Sequence, residues 1–241
     1  KALYLGQDFI FIYDFANDSL VKINLRDQGL RDAFRLIELD KKIIIADNKK
    51  GIFELTGSKA NPLPGGNFFI DKPCTVILPY DENNLIIGTY FDGLFLYDFT
   101  SGNVRSYFID KQLNEKFKVA NIYAGSVIND ELFAIGTTNQ EGILVFNKSG
   151  VLVYKLTIET TSIVDDAVHA MYCDYENNSE LWIATYGFIN KAYLNVPITV
   201  FAEKQGIDYG VNDISEFNGS MYISSDAGIL NSYTDNKNTL R

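Results

Sequence analysis

Residues 84–98 show the clearest pattern of hydrophobic and polar positions in the chain. The segment NLIIGTYFDGLFLYD holds two apolar runs, 85–87 and 94–97, separated by a Gly-Thr step and an Asp-Gly pair. Short runs rich in β-branched and aromatic residues, bounded by turn residues, predict strands. Asp-Gly between two such runs indicates a tight connection, because both residues tolerate a positive φ angle. The segment is therefore predicted to form a β-hairpin.

The same hairpin pattern recurs along the whole chain. A small residue closes the first strand of each copy, and successive copies are 40, 42, 48, 48 and 40 residues apart. These marker residues are Gly6, Ala46, Gly88, Gly136, Ala184 and Ser224. A strand-rich repeat of about 40 to 50 residues is typical of a β-propeller, whose four-stranded sheets stack because one sheet cannot bury both of its faces. We therefore predict an all-β, single-domain β-propeller over residues 1–241. Its six four-stranded blade units form either a complete ring or part of a seven-bladed ring.

The strands of a blade are named A to D from the axis outward. Blade one begins at its B strand, and blades two to six have predicted inner A strands at 33–39, 74–79, 119–127, 167–173 and 211–217. The Gly- and Pro-rich residues 56–69 predict an irregular outer edge in blade two. Outer strands are predicted at 103–108 and 198–202, and the C-terminal tail can supply at most a short one. The charged segment 110–118 is predicted to be a loop, since no window shows a convincing amphipathic helix.

Composition supports an all-β fold and excludes some partners. The 15 Tyr and 17 Phe suit a pleated, half-buried surface. The formal net charge is −10 and there is no basic stretch, which argues against binding of nucleic acid or of an anionic membrane surface. No apolar run reaches the roughly 18 residues needed to span a bilayer, so we expect no membrane insertion by this segment. The chain starts inside a predicted strand without a signal peptide, and we expect that its start has been cut.

Cysteine and acidic residues give no strong indication of a metal or a cofactor. Cys74 and Cys173 fall on predicted strands of blades that are not neighbours, and we expect both to be buried free thiols. No Cys/His cluster has zinc spacing. Residues 174–178 resemble a calcium loop only faintly, because the required Gly and the bidentate Glu are missing, so an A–B turn is favoured. We predict neither a metal nor a cofactor.

Catalytic residues are also sparse. His169 is the only histidine, lies on a predicted inner strand, and has no recognisable nucleophile beside it, so we interpret it as a core or channel-wall residue. Glycosidases need two carboxyl groups about 5 to 10 Å apart, and Asp92, Asp165, Asp166 and Asp226 are candidates on predicted loops. Solvated loop acids are the favoured interpretation. We predict no catalytic residue and no enzymatic activity, with a polysaccharide-active hydrolase or lyase as the competing hypothesis.

Three segments carry a resemblance to a known family. LWIATYG (181–187), IIGTYFDGLFLYD (86–98) and FAEKQGIDYGVNDISEFNGSMYISSDAGIL (201–230) resemble the two-component regulator propeller repeat. The family pattern has Asp-Gly-Leu before the inner strand, then an acidic turn, Leu-Trp-Ile-Gly-Thr, Gly-Leu and an aromatic-Asp pair. Here Gln28-Gly29-Leu30 and Gln205-Gly206-Ile207 stand for the first element, and Trp182 is the single Trp. The resemblance covers nearly the whole chain.

The resemblance implies a sensor role outside the cytoplasm. Propellers of this family belong to the extracytoplasmic regions of hybrid two-component kinases, which are thought to respond to oligosaccharides. From this resemblance we expect a periplasmic or extracellular location and an oligosaccharide or other small-molecule ligand. The family's sandwich domain, membrane helix and kinase are not in this sequence, and a homodimer would form through such flanking domains. A protein-interaction scaffold is a third hypothesis.

The alternating strand directions predict where a ligand would bind. B–C loops and D–A connections should open on one face, around the axis. The polar and tyrosine residues expected there are Arg31, Asp32, Asp47, Asn48, Tyr90, Asp92, Asn139, Gln140, Asp166, Tyr186, Tyr209 and Asp226. Tyrosine rings stack on sugar faces, and carboxylates accept hydroxyl protons. For any single residue, an ordinary polar loop remains the alternative.

We expect the site on this face for two reasons. Tyr90 and Tyr186 each follow the strand-closing Thr, so they are predicted to present two rings to one molecule. The opposite face carries short A–B and C–D turns, such as Asn218-Gly219 and Ser149-Gly150, and is predicted to have little concavity.

Overall fold

Alternating apolar strands and short turns produce six antiparallel sheets, all in simple sequential strand order. The computed structural model describes residues 1–6, 8–106, 108–139, 141–161, 163–174, 180–194, 210–217, 220–226 and 228–231. The chain divides into two compact units, residues 1–195 and 196–241. The described part of the first unit contains five sheets and that of the second contains one.

The first unit holds the strands β1 to β18 and one α-helix. Sheet one consists of β1 (Ala2–Leu5), β2 (Phe9–Asp14) and β3 (Ser19–Asn24), and sheet two of β4 (Ala33–Leu39), β5 (Lys42–Asp47), β6 (Gly51–Thr56) and β7 (Lys59–Pro62). Sheet three consists of β8 (Cys74–Pro79), β9 (Asn84–Thr89), β10 (Gly93–Asp98) and β11 (Val104–Arg105). Sheet four consists of β12 (Ile122–Val127), β13 (Leu132–Thr137), β14 (Ile143–Asn147) and β15 (Leu152–Leu156), and sheet five of β16 (Val168–Cys173), β17 (Glu180–Thr185) and β18 (Phe188–Tyr193). Helix α1 is Lys111–Ala120, and 3-10 turns lie at Arg26–Gln28 and Gly66–Phe69.

The second unit is described by one meander. It consists of β19 (Val211–Phe217), β20 (Ser220–Ser225) and β21 (Gly228–Asn231). The inner strand matches the predicted range 211–217. The predicted outer strand at 198–202 and the C-terminal tail lie outside the described residues.

The sheets of the first unit stack as propeller blades do. Inner strand β4 lies next to β8, β8 next to β12, and β12 next to β16. Apolar clusters fill the layers between successive sheets, for example Ile10, Leu25 and Ile45 between sheets one and two. A large aromatic cluster with Phe69 and Tyr97 lies between sheets two and three. The predicted β-propeller fold is confirmed. Among the described residues sheet one has three strands and begins at the predicted B strand, and the outer edge of sheet two is the short strand β7, which ends on Pro62.

A β-bulge occurs near the start of every described inner strand. The pairing register shifts between Ala33 and Arg35 in β4, and the same shift recurs in β8, β12, β16 and β19. The extra residue is Phe34, Thr75, Tyr123, His169 or Asn212, respectively. A bulge leaves one residue unpaired and re-aims its side chain. In each sheet with a described inner strand, the bulge therefore turns one side chain out of the regular alternation of the strand.

The small marker residues lie opposite these bulges. Gly88 pairs with Val76, and Gly136 pairs with Ala124, each directly after the bulged residue. A Cβ atom on Gly88 would come within 2.8 Å of Ile122, and one on Gly136 within 2.7 Å of a Val168 methyl group. Ile122 and Val168 begin the inner strands of the next sheets. At these two positions the close approach of the neighbouring blade leaves room only for a small residue, which explains the glycine there.

Helix α1 contradicts the prediction of a loop at 110–118. Asp110 caps it by accepting a hydrogen bond from the Leu113 backbone N–H at 2.9 Å. Phe117 and Ala120 are buried together with Asn114, whose polar side chain obscured the apolar face in the sequence. The same region shortens the predicted outer strand 103–108 to Val104–Arg105. Among the described residues, no helix has both the length and the apolar character needed to cross a membrane.

The two cysteines are buried and free, as predicted. Burial raises the pKa of the Cys74 thiol to about 12, and the nearby charge of Asp92 adds to the effect. Burial also raises the pKa of Cys173. Since the thiolate is the reactive form, we expect neither cysteine to be alkylated by iodoacetamide at pH 8 in the folded protein, and both to react in denaturant. Intact-mass spectrometry before and after unfolding checks this, and rapid labelling of the native chain would contradict it.

Candidate functional site

The B–C loops lie beside the segments that lead into the inner strands, as predicted. A backbone N–H from each of four B–C loops donates to a carbonyl just before the inner strand of the same sheet, at 2.9 to 3.2 Å. The donor and acceptor pairs are Asn48 and Asp32, Tyr90 and Pro73, Thr138 and Asn121, and, in the second unit, Asp226 and Gly210. These bonds hold both kinds of connection at one edge of each sheet.

A row of aromatic rings crosses three sheets at this edge. The Tyr90 ring lies 6.3 Å from that of Tyr123, Tyr123 lies 5.6 Å from His169, and His169 lies 6.4 Å from Tyr186, centroid to centroid. Tyr123 and His169 are the bulged residues of β12 and β16, and the two outer tyrosines come from B–C loops. Tyr186 is 79% exposed. The predicted pair of loop tyrosines is therefore connected through two rings of the inner strands.

A small cavity lies between the inner strands next to this row. Its volume is about 260 Å³, and its wall includes Arg35, Thr75, Gly125, His169 and Met171. All of these residues belong to β4, β8, β12 or β16. His169 thus lies exposed in the wall of an axial cavity, which agrees with its interpretation as a channel-wall residue.

Two of the predicted site carboxylates hold the loops together. Asp47 is 1% exposed and accepts hydrogen bonds from the backbone N–H groups of Asp32 and Lys49, both at 2.9 Å. Asp166 accepts one from the Ile158 N–H at 2.9 Å. A carboxylate that satisfies buried backbone donors has a structural use of its own. The expectation that these two acids face a ligand is weakened by those contacts.

The other predicted site residues occupy varied positions. Arg31 and Asp32 are exposed, Asp92 is half-buried, and the Asn48 side-chain oxygen is buried without a hydrogen-bond partner among the described residues. Asn139 is exposed, and its amide donates to the Val119 carbonyl at the end of α1. In the second unit, Asp226 accepts a hydrogen bond from the Asn212 amide at 3.0 Å. Gln140 and Tyr209 lie outside the described residues.

Sequence reasoning missed three residues of this site: Phe34, Arg35 and Tyr123. The Phe34 ring lies 6.4 Å from that of Tyr123, and the Arg35 guanidinium carbon lies 4.6 Å from the centre of the Phe34 ring. Phe34 and Tyr123 occupy the second position of an inner strand, as His169 does. That shared position was the available signal. It was hidden in blade four because the predicted inner strand began at 119, inside what is helix α1.

The opposite face is more concave than predicted. A cavity of about 750 Å³ lies at the other end of the inner strands, and turn residues such as Asp40 and Asp130 help to line it. The prediction of little concavity there is wrong, because the short turns surround the strand ends and do not cover them. Several of its polar groups are engaged within the protein: the Asp81 carboxylate accepts from Asn83 and Asn84, and the Tyr80 hydroxyl donates to the Lys148 carbonyl.

No group of three or more His, Cys, Asp or Glu side chains in the described part of the chain is arranged to hold a metal ion. No protein-family model matches the sequence. No curated protein matches it either.

Comparison of the fold with solved structures finds many matches. The extracellular domain of the putative hybrid two-component system BT3049 from B. thetaiotaomicron matches 99% of this chain with a TM-score of 0.59 and 18% identity. That of BT4673 from the same organism matches 98% with a TM-score of 0.50 and 14% identity. A streptogramin B lyase matches 98% with a TM-score of 0.52 and 14% identity, over 75% of its own chain.

The chain covers only part of the extracellular domains that it matches. The chain spans 33% of the first extracellular domain and 29% of the second, so it corresponds to about a third of their length. At these identities the likeness concerns the fold. The chain is accordingly a β-propeller, similar in fold to the extracellular domains of hybrid two-component systems.

Proposed function

We propose that this propeller is the ligand-sensing part of an extracellular two-component sensor, and that it binds an oligosaccharide or another small ligand at the B–C face. The observation that carries the proposal is the row Tyr90–Tyr123–His169–Tyr186 beside the axial cavity. The match in fold to extracellular sensor domains and the repeat motifs of the sequence support the sensor role.

The physical chemistry of the row suits a sugar. Aromatic rings bury the apolar face of a pyranose, and a tyrosine adds a hydroxyl that can exchange hydrogen bonds with the sugar. Tyr186 exposes most of its ring, and Phe91 beside Tyr90 is 58% exposed. Exposed aromatic surface that several blades present together is typical of a binding surface. Tyr123 and His169 lie on inner strands, and the Tyr90 loop is held by the hydrogen bond from the Tyr90 N–H to the Pro73 carbonyl, so little ordering of these rings is required on binding.

The same geometry supports a binding role over catalysis. His169 contacts the rings of Tyr123 and Tyr186, and the Asp166 carboxylate is used to bind the Ile158 N–H. A general acid or base needs a hydrogen-bond path to the reacting group. The wider cavity on the opposite face is the second candidate location, because its volume of about 750 Å³ would admit a small ligand.

The test is to incubate the chain with a panel of neutral and acidic glycans, measuring binding by calorimetry and products by mass spectrometry. Saturable binding with unchanged glycans supports the sensor proposal. Turnover that is lost in Asp92→Asn would support the enzyme hypothesis instead. Recovery of a defined protein partner together with no response to any glycan would support the scaffold.

Removing the two loop tyrosines at the ends of the aromatic row, Tyr90 and Tyr186, should weaken binding without unfolding the protein. Each ring that packs on the ligand contributes about 1 kcal/mol of binding free energy. We therefore expect the double variant Tyr90→Ala/Tyr186→Ala to lose about 2 kcal/mol of binding free energy, which raises the Kd roughly 30-fold. Tyr186→Ala should leave the melting temperature unchanged, whereas Tyr90→Ala should lower it slightly because Tyr90 is half-buried. Calorimetry and thermal melting of both single variants and of the double variant check this.

A tyrosine on the opposite face provides the matched control. Tyr172 lines the wider cavity and is 64% exposed. Tyr172→Ala should bind as the unaltered chain does. Loss of binding in Tyr172→Ala, with full binding in the double variant, would move the site to the opposite face.

A further inference from the structure

Arg35 joins three inner strands at the axial cavity. It follows the bulged residue of β4, its Nε donates to the Thr75 carbonyl at 2.5 Å, and one Nη donates to the Tyr123 carbonyl at 3.2 Å. The guanidinium carbon lies 4.6 Å from the centre of the Phe34 ring and 5.8 Å from that of Tyr123. Two carbonyls and two rings thus fix the orientation of the guanidinium in the wall of the cavity.

The charge of Arg35 has no carboxylate partner in the part of the chain that the structure describes. Among the described residues, no Asp or Glu lies within ion-pair distance of it, whereas Arg26 pairs with Asp8 at 2.8 Å. Burial lowers the pKa of Arg35 below its ordinary value, but arginine still carries its charge at neutral pH. A partly desolvated cation without a counter-charge is unfavourable, so proteins rarely retain one without a use. The carbonyls occupy only part of its donor capacity, and N–H groups remain for another acceptor.

The described wall of the cavity contrasts in formal charge with the chain as a whole. The described residues that line the cavity include His169 and no acidic side chain. The chain as a whole carries a formal charge of −10. A cleft with one sign of charge and low-dielectric walls concentrates the field on an ion that enters it. Arg35 is accordingly a formal positive charge on a wall whose described residues include no acid, in a chain of negative net charge.

We propose that the axial cavity is an anion subsite in which Arg35 binds a carboxylate or sulfate group of an acidic sugar, while the neighbouring rings contact the sugar itself. The guanidinium fork can donate two N–H groups to a pair of oxygens on either group. The inference rests on the proposed ligand-binding function and names the class of ligand for the same site.

The experiment observes Arg35 directly. The chain has five arginines, Arg26, Arg31, Arg35, Arg105 and Arg241, so the arginine Nε–H region of a 15N spectrum is sparse, and Arg35→Lys assigns the signal. Sodium glucuronate, glucose 6-sulfate and methyl glucoside are titrated into the full chain at constant ionic strength. We expect the Arg35 signal to shift saturably with one or both anions and not with methyl glucoside. The anion that binds more tightly identifies carboxylate or sulfate as the preferred group.

Variants then measure the contribution of the charge. We expect Arg35→Gln to weaken binding of the better anion at least tenfold by calorimetry. Arg105→Gln removes an exposed arginine on the outer strand β11 and should leave the binding unchanged. If Arg35→Gln fails to fold, the titration of the unaltered chain decides. Non-saturating shifts shared by all arginines, or an equal response to methyl glucoside, overturn the anion subsite. Binding of a neutral glycan from the panel with an unmoved Arg35 signal also overturns it and leaves the sensor proposal intact.

Discussion

Replacing Asn114 by alanine is expected to lower the free energy of unfolding by about 3 kcal/mol, because backbone groups of Leu94 and Ser106 would lose their hydrogen-bond partner. Asn114 is 1% exposed on α1. Its side-chain oxygen accepts from the Leu94 N–H at 2.7 Å, and its amide donates to the carbonyls of Leu94 and Ser106. The side chain therefore satisfies the backbone at the start of β10, where the sheet itself leaves it unpaired. Truncation would leave these groups buried without water.

The measurement is equilibrium urea unfolding followed by tryptophan fluorescence. Lys116→Ala on the exposed side of the same helix is the control, and its effect should stay within about 0.5 kcal/mol. Asn114→Ala should shift the midpoint with little change in the urea dependence, since the surface exposed on unfolding stays the same. If both variants unfold alike, α1 is not held by Asn114.

The propeller hairpins could be predicted because one physical constraint repeats in the sequence. At two of the marker positions, Gly88 and Gly136, the next blade approaches too closely for a larger side chain. The alternation of apolar and polar positions around each marker then determines which residues form the strands. The predicted inner strands 33–39, 74–79 and 211–217 accordingly match β4, β8 and β19 at both ends.

The bulges and the helix could not be predicted in the same way. A bulge adds one residue to one strand, and nothing in the alternation marks which residue is unpaired. Tyr123 therefore looked like an ordinary strand residue, although its ring connects Tyr90 to His169. Helix α1 was missed because its buried face includes Asn114, whose role depends on the backbone of β10, some 20 residues earlier in the chain.

The position of the B–C loops was predictable, and the contacts of the residues on them only in part. Loop tyrosines could be placed by their position after the strand-closing Thr. Loop carboxylates could not be assigned, because the N–H groups that Asp47 and Asp166 bind belong to segments 15 and 8 residues away. Arg35 became a candidate only when the structure showed that no described carboxylate pairs with it.

Replacing Gly51 by alanine is expected to cost about 4 kcal/mol of stability, because backbone strain and a steric clash act together at one position. Gly51 begins β6 with a φ of 93°, a conformation that residues with a Cβ atom rarely adopt. A Cβ atom there would lie 2.2 Å from the Gly66 carbonyl oxygen, which belongs to the 3-10 turn Gly66–Phe69 between sheets two and three. Relief of the clash requires the turn to move, and Phe69 in that turn is fully buried in the aromatic cluster.

Gly57 separates the two contributions. It has a φ of 63°, also in the left-handed region, but a Cβ atom on it would meet nothing within 4 Å. Gly57→Ala should therefore cost only the strain, about 1 to 2 kcal/mol. Urea unfolding of the two variants measures the difference, which we expect to be at least about 2 kcal/mol because overpacking a close contact adds that much. Equal effects of the two substitutions would mean that the turn at Gly66 yields easily. Packing between sheets two and three would then not depend on the close approach of Gly51 to Gly66.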